Sequence, residues 1–194
     1  MAANLDLICQ YLTQGRLRFT RDDAHDLAVI PFEHERIGKL VLMVRLEENG
    51  EFIKIFCPQL FKYLDGPHKL ALMQALLLIS WETKMLQWEY DPTDGEIRAM
   101  VEFPLADAVL TRRQFERAFA GLMQMVEAYY PRLQAVIETG VDPGRAGGGT
   151  VGGDLLREFQ EFLRGRGDDG SSGGGGGGGT SGNADADVPV PDAL

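Results

Sequence analysis

The stretch "LALMQALLLISWETKMLQWEY", residues 70–90, contains two different hydrophobic patterns in succession. In its first part, apolar side chains placed at helical spacing occupy an arc of roughly 220°, whereas a helix on the surface of a protein needs only about 100°. From Leu86 onward, apolar and polar residues alternate, which is typical of a strand. The stretch therefore predicts a helix that is apolar on two sides, followed by a strand. One domain surface covers only one of those two sides.

Upstream of this stretch, the sequence predicts one helix and three strands. The segment "LDLICQYLTQ" follows Asn4, a good helix cap, and ends before Gly15, a common stop residue. The segments "LAVIPFEH" and "GKLVLMVRLEENGEFIKIFCPQL" then show strand alternation. Within the second, Asn49-Gly50 supplies the residue pair that tight hairpin turns prefer. These segments predict an antiparallel arrangement.

Downstream, a second hairpin and a final helix complete the predicted fold. Trp88 and its alternating neighbours are followed by Asp94-Gly95 and by a partner strand at residues 97–103. Thr111 and Gln114 have the spacing of a capping box ahead of a long amphipathic segment. The predicted fold class is α+β, with the order α-βββ-α-ββ-α and an antiparallel sheet of about five strands covered by helices.

The chain divides near residue 140. Residues 1–140 have the composition of one folded domain, whereas 17 of the 24 glycines lie in residues 141–194. A segment so rich in glycine buries too little apolar area to offset its chain entropy, which predicts a disordered tail. Within it, residues 154–166 predict a short amphipathic helix that docks either on its own domain or in a partner's groove. Its apolar side consists of Leu155, Leu156, Phe159, Phe162 and Leu163.

Charge and cysteine content exclude several classes of partner. The net charge is -10 and the sequence pI is about 4.8. Residues 1–140 carry 15 Lys and Arg against 20 Asp and Glu, and residues 141–194 carry 4 against 9, so both parts repel nucleic acids and anionic membranes. We expect no membrane span, because no apolar run reaches about 18 residues. With two cysteines and no signal-peptide pattern at the N-terminus, we expect a cytoplasmic protein.

The sequence shows no arrangement of residues typical of an active site. His25, His34 and His68 are far apart, and none has a cysteine or a second histidine at the spacing of a zinc site. The glycines of residues 144–153 lack the Gly-Lys-Ser/Thr of a phosphate-binding loop. We therefore expect no catalytic residues, no cofactor and no metal.

Three segments of the chain resemble the YbjN-like family. They are "FEHERIGKLVLMVRLEENGEFIKIFCPQL", "LLLISWETKMLQWEYDPTDGEIRAMVEFPLAD" and "YYPRLQAVI", within residues 3–139. The resemblance implies a fold like that of the type III secretion chaperones (CesT-like). It also implies a non-enzymatic, often dimeric module that binds a partner polypeptide, with a chaperone-like or regulatory role. The glycine-rich tail is not part of the family pattern.

The second apolar side of the predicted middle helix also indicates a protein that binds another polypeptide. We expect a homodimer, or a complex with a protein partner, through an interface formed by Leu72, Leu76, Ile79, Trp81 and Leu86. Trp88 is expected in the core, because it lies on the apolar side of an alternating strand, whereas Trp81 fits the core and a contact surface equally well.

Two other functions remain open at the level of the sequence. One is a structural or adaptor subunit of a larger assembly, tethered by the tail. The other is a small-ligand binder or an enzyme, whose pocket would combine residues distant in the chain, such as Arg45, Lys54, Arg98 and the tyrosines.

Overall fold

The computed structural model describes residues 3–106 and 108–144. In this range a six-stranded sheet packs against three α-helices. The helices are α1 (Leu5–Gln14), α2 (Lys69–Glu82) and α3 (Arg112–Thr139). The strands are β1 (Thr20–Asp22), β2 (Leu27–His34), β3 (Gly38–Glu47), β4 (Phe52–Lys62), β5 (Gln87–Tyr90) and β6 (Glu96–Pro104).

All neighbouring strands of the sheet are antiparallel, in the order β1-β2-β3-β4-β6-β5. The chain passes from β4 through α2 to β5 at the far edge and then returns through β6 to pair with β4. The α+β class and the antiparallel sheet that the sequence predicts are both confirmed.

The sheet has six strands where the sequence predicts about five. The additional strand is β1, which contains only three residues and pairs with residues 27–29 of β2. Its sequence, Thr-Arg-Asp, is polar and too short to show alternation, so its backbone pairing with β2 is the only sign of a strand.

The predicted caps are present, and the predicted tight turn between β3 and β4 is a four-residue loop, 48–51, in which Glu48 also has a positive φ. The side chain of Asn4 accepts a hydrogen bond of 2.9 Å from the backbone N–H of Leu7, which caps α1. Between β3 and β4, Asn49 and Gly50 have φ values of 56° and 87°, the left-handed conformation that this residue pair favours. Thr111 and Gln114 form the reciprocal hydrogen bonds of a capping box at the start of α3.

The core lies between one face of the sheet and the three helices. Its fully buried side chains include Ile8 of α1, Leu42 of β3, Ile55 of β4 and Leu122 of α3. In the part of the chain that the structure describes, every buried apolar residue falls between Ala3 and Val136. A chain that ends at Gly144 therefore retains this core. None of the described helices is both long and apolar enough to cross a bilayer.

Candidate protein-binding surface

One side of α2 exposes large apolar side chains to solvent. The exposed fractions are 73% for Leu70, 72% for Leu77, 48% for Leu78 and 88% for Trp81. Positions i, i+7, i+8 and i+11 lie on the same side of a helix, so these four residues form one continuous surface, which we call the helix-two stripe. Only the exposed Gln74 interrupts it. Four large apolar side chains exposed together on one helix differ from the scattered apolar residues common on protein surfaces, which makes the stripe a candidate interaction surface.

The opposite side of α2 packs into the protein's own core. Leu72, Leu76 and Ile79 are at most 5% exposed, and Leu86, just before β5, is 4% exposed. These are four of the five residues expected at a partner interface, and in this fold a partner cannot reach them. The structure corrects that choice of residues and leaves only Trp81 of the predicted set on the surface.

Three residues of the helix-two stripe were missed by the sequence reasoning. Leu70, Leu77 and Leu78 contribute to the same broad apolar arc as the buried leucines, so the pattern gives no sign of which side faces the sheet. The two tryptophans lie in different environments: Trp88 is buried, as predicted, and Trp81 is on the exposed side of α2.

The C-terminal end of α2 is held by a buried arginine of α3. Arg132 donates two hydrogen bonds to the carboxylate of Asp142, from Nε at 2.7 Å and from Nη2 at 2.8 Å. Its Nη1 donates a third, of 2.8 Å, to Glu82, the last residue of α2. Arg132 is buried, and both carboxylates are largely shielded from solvent. The three side chains join the end of α2, the C-terminal half of α3 and the chain that follows α3.

This ion cluster shifts the ionisation of its members. Hydrogen bonding to Arg132 holds the pKa of Asp142 below its ordinary value of 3.8, although partial burial opposes the shift. Hydrogen bonding to Asp142 in turn raises the pKa of Arg132, against the effect of desolvation. Both shifts favour the charged forms in the folded state, so the cluster stabilises the fold while Asp142 is ionised.

We expect Asp142 to contribute to the stability of the protein above about pH 4. Because its pKa is lower in the folded state, this contribution is complete above the unfolded pKa of ~3.9 and is lost as the pH falls through the folded value. The Asp142→Asn variant should therefore lose less stability than the wild type between about pH 5 and pH 3, as measured by urea unfolding. Identical acid dependence in the two proteins would contradict this role.

The cations that a hidden pocket would use do not converge. The Nζ atom of Lys54 lies 3.2 Å from Oε2 of Glu102. The Nε atom of Arg98 donates a hydrogen bond of 2.8 Å to Oε2 of Glu89. Arg45 lies over the ring of Phe56, with 5.7 Å from its guanidinium carbon to the ring centroid.

The tyrosines are engaged in separate structural contacts. The Tyr11 hydroxyl donates to the backbone of Leu110, the Tyr90 hydroxyl donates to the backbone of Leu64, and the ring of Tyr130 stacks on Phe61. Together with the separate contacts of the three cations, these contacts give the pocket hypothesis no support.

The thiols and histidines also lack the environment of reactive groups. Burial raises the pKa of the Cys57 thiol to about 12, so this thiol stays protonated and is a poor nucleophile. His25 contacts Asp22, and His34 contacts Glu127, on separate parts of the protein. Within residues 3–106 and 108–144, no group of three or more His, Cys, Asp or Glu side chains is placed to hold a metal ion. The predicted docking helix at residues 154–166 lies outside the described residues.

This chain was compared with known protein families, with curated proteins and with solved structures. The model of the YbjN family, described as "Putative bacterial sensory transduction regulator", matches residues 4–135. The chain belongs to the YbjN family. A search of the curated proteins found no match.

Solved structures show the same fold as this YbjN family member. The crystal structure of YbjN from E. coli is 12% identical, with a TM-score of 0.50 over 71% of this chain and 94% of that one. A chain of the ExsC–ExsE complex is 17% identical, with a TM-score of 0.51 over 69% of this chain and 97% of that one. The family and the secretion-chaperone-like fold that the sequence predicts are confirmed.

Proposed function

We propose that this YbjN family member is a non-enzymatic protein-binding module that acts as a homodimer. The observation that carries the proposal is the helix-two stripe, because the described part of a protomer leaves these side chains exposed to solvent. In the proposed dimer, the helix-two stripe of one copy packs against the helix-two stripe of the other. Since the same surface serves both copies, the interface is isologous, and the two helices cross about a twofold axis near the middle of the stripe. An antiparallel crossing brings Trp81 of one copy against Leu70 of the other.

The energetics are compatible with such a dimer. Covering a large apolar side chain fully contributes roughly 1.5–3 kcal/mol, so a symmetric pair of stripes contributes at most about 12–24 kcal/mol, because its eight side chains are already partly covered in the protomer. This gain competes with a cost of association of about 4–15 kcal/mol. The about 8 kcal/mol of a micromolar dissociation constant lies within the range of the balance.

A client polypeptide is the second partner in this proposal. At the β5 edge of the sheet, the only described pairing of β5 is with residues 97–100 of β6. On that side, no described strand pairs with residues 101–104 of β6. An extended client segment that pairs there gains backbone hydrogen bonds and places alternate side chains against the sheet. The ExsC–ExsE structure, which shares this fold, is itself a complex of two proteins, and this supports a polypeptide client.

We also propose that the protein works in a reducing compartment such as the cytoplasm. Its cysteines support this location, because Cys9 and Cys57 are free thiols and Cys57 is fully buried.

Sedimentation equilibrium at micromolar concentrations tests the dimer. We expect the full chain, or the chain that ends at Gly144, to reach the mass of two copies as the concentration rises. A protein that stays monomeric in both forms at every concentration would refute the proposed dimer. A stoichiometry above two would instead favour a structural subunit of a larger assembly.

Peptides selected from a random library provide a probe for the client site. Strand addition predicts that a bound peptide slows amide hydrogen exchange in residues 101–103, at the free edge of β6. Protection that appears only elsewhere in the domain would show that the client binds another surface.

A further inference from the structure

The chain leaves the folded domain beside helix α2. Helix α3 ends at Gly140, which has a φ of 73°. A Cβ atom at position 140 would lie 2.3 Å from Nδ1 of His68, so the backbone here packs directly against the residue that precedes α2. Two residues later, Asp142 shares Arg132 with Glu82 at the opposite end of α2. Residues 140–142 are therefore connected to both ends of this helix.

The chain that follows has the length needed to return to α2. Nine residues, 145–153, separate Gly144 from Asp154, and five of them are glycine. A glycine-rich sequence of nine residues has a root-mean-square span of about 15–18 Å. Helix α2 contains 14 residues and is about 21 Å long, and residues 154–166 would form a helix of about 20 Å. Because residues 140–142 contact both ends of α2, a linker of this span is long enough for residues 154–166 to lie along the stripe, and the predicted helix matches α2 in length.

The apolar patterns of the two surfaces also match. In the helix-two stripe, Leu70 and Leu77 are seven residues apart, and Trp81 follows four residues later. In residues 154–166, Leu156 and Leu163 are likewise seven residues apart. Repeats of this kind let two helices pack side by side along a common seam.

We propose that residues 154–166 dock on the helix-two stripe of their own chain and compete there with a second copy. The competition rests on the proposed function, because it assumes that the stripe joins two copies. A short glycine-rich linker holds the docking segment at an effective concentration in the millimolar range, so even weak docking populates the covered monomer. Both copies must release their segments before a dimer forms. The apparent association constant of the dimer is therefore lowered by the square of the fraction of protomers whose stripe is free.

Removal of the tail tests this competition. We expect the chain that ends at Gly144 to dimerise about ten to a hundred times more tightly than the full chain, as measured by sedimentation equilibrium. If docking covers about 70 to 90% of free protomers, squaring the free fraction gives this range. The Phe159→Asp variant of the full chain should reproduce the truncation, because it places a charge on the apolar side of the segment. The matched control is Gln160→Asp, which adds the same charge one residue away at the polar flank and should leave the dissociation constant close to that of the wild type.

Trp81 provides a readout of docking that does not depend on dimerisation. In a Trp88→Phe background Trp81 is the only tryptophan, because the chain has two. With the protein diluted until it sediments as a monomer, acrylamide should quench Trp81 less in the full chain than in the chain that ends at Gly144. Phe159→Asp should restore full quenching.

The outcomes separate the two proposals. Equal dimerisation and equal quenching in the long and short chains would overturn docking and leave the dimer intact. Shielding of Trp81 in the full chain, with both chains monomeric at every concentration, would uphold docking and overturn the dimer. If both chains are monomeric and Trp81 is equally exposed in both, then both proposals fail.

Discussion

The Leu77→Asp variant of the chain that ends at Gly144 is expected to be a monomer at concentrations at which the unsubstituted chain is a dimer. Leu77 is 72% exposed in the protomer, so the substitution removes little from the core. In an isologous interface, however, one substitution places two carboxylates in an apolar seam. Burial of an unpaired charge costs several kcal/mol, and each 1.4 kcal/mol changes the dissociation constant tenfold. We therefore expect the constant to rise by at least about a hundredfold in sedimentation equilibrium.

The matched control is Gln10→Asp, which adds a charge at an exposed position of a different helix, α1. It should leave dimerisation within about twofold of the unsubstituted chain. If Leu77→Asp and Gln10→Asp have equal effects, the helix-two stripe is not the contact surface. Unfolding in urea should show that Leu77→Asp keeps a cooperative transition, so loss of the dimer is not loss of the fold.

The Arg132→Met variant is expected to lower the free energy of unfolding by about 2–4 kcal/mol. Methionine keeps most of the apolar stem, but it leaves the carboxylates of Glu82 and Asp142 without their shared cation. Removal of one partner from a fully buried ion pair typically costs about 3–5 kcal/mol. We place the expected loss somewhat lower, because both carboxylates retain partial contact with solvent. Urea unfolding in a monomeric Leu77→Asp background measures this loss without a contribution from association.

Two further substitutions make this measurement specific. Arg132→Lys keeps the charge but cannot reproduce the two-pronged contact with Asp142, so an intermediate loss is expected. Arg36→Met removes an ion pair of the same type on the surface, between Arg36 and Glu127, and should cost less than about 1 kcal/mol. Equal losses for Arg132→Met and Arg36→Met would show that the buried cluster contributes no more than an exposed pair.

Much of the fold is predictable from the sequence because its local signals agree with one another. Asn4 caps α1, Asn49-Gly50 turns β3 into β4, and alternation marks five of the six strands. These signals depend on neighbours in sequence. Strand β1 is not predictable from the sequence, because its three polar residues are held in place by pairing with β2 and show no periodic pattern.

The candidate surface is only half predictable for a related reason. A helix that is apolar on both sides shows that something must cover each side, but it does not show which side faces the sheet. The choice is made by packing against β-strands and α3, which buries Ile79 and leaves Leu77 exposed. The Arg132 cluster is also invisible in sequence, because Glu82 and Arg132 are 50 residues apart. The sequence Tyr-Tyr-Pro-Arg contains Arg132, but it gives no sign of the carboxylates that Arg132 contacts.

The accessibility of Trp81 as a function of protein concentration tests most directly whether another copy covers the helix-two stripe. In the chain that ends at Gly144 and carries Trp88→Phe, acrylamide quenching and sedimented mass should be measured on the same dilution series. We predict that Trp81 is shielded where the mass is that of a dimer, and that it becomes fully accessible over the same concentrations at which the dimer dissociates. A dimer in which Trp81 remains as accessible as in the monomer would contradict the claim.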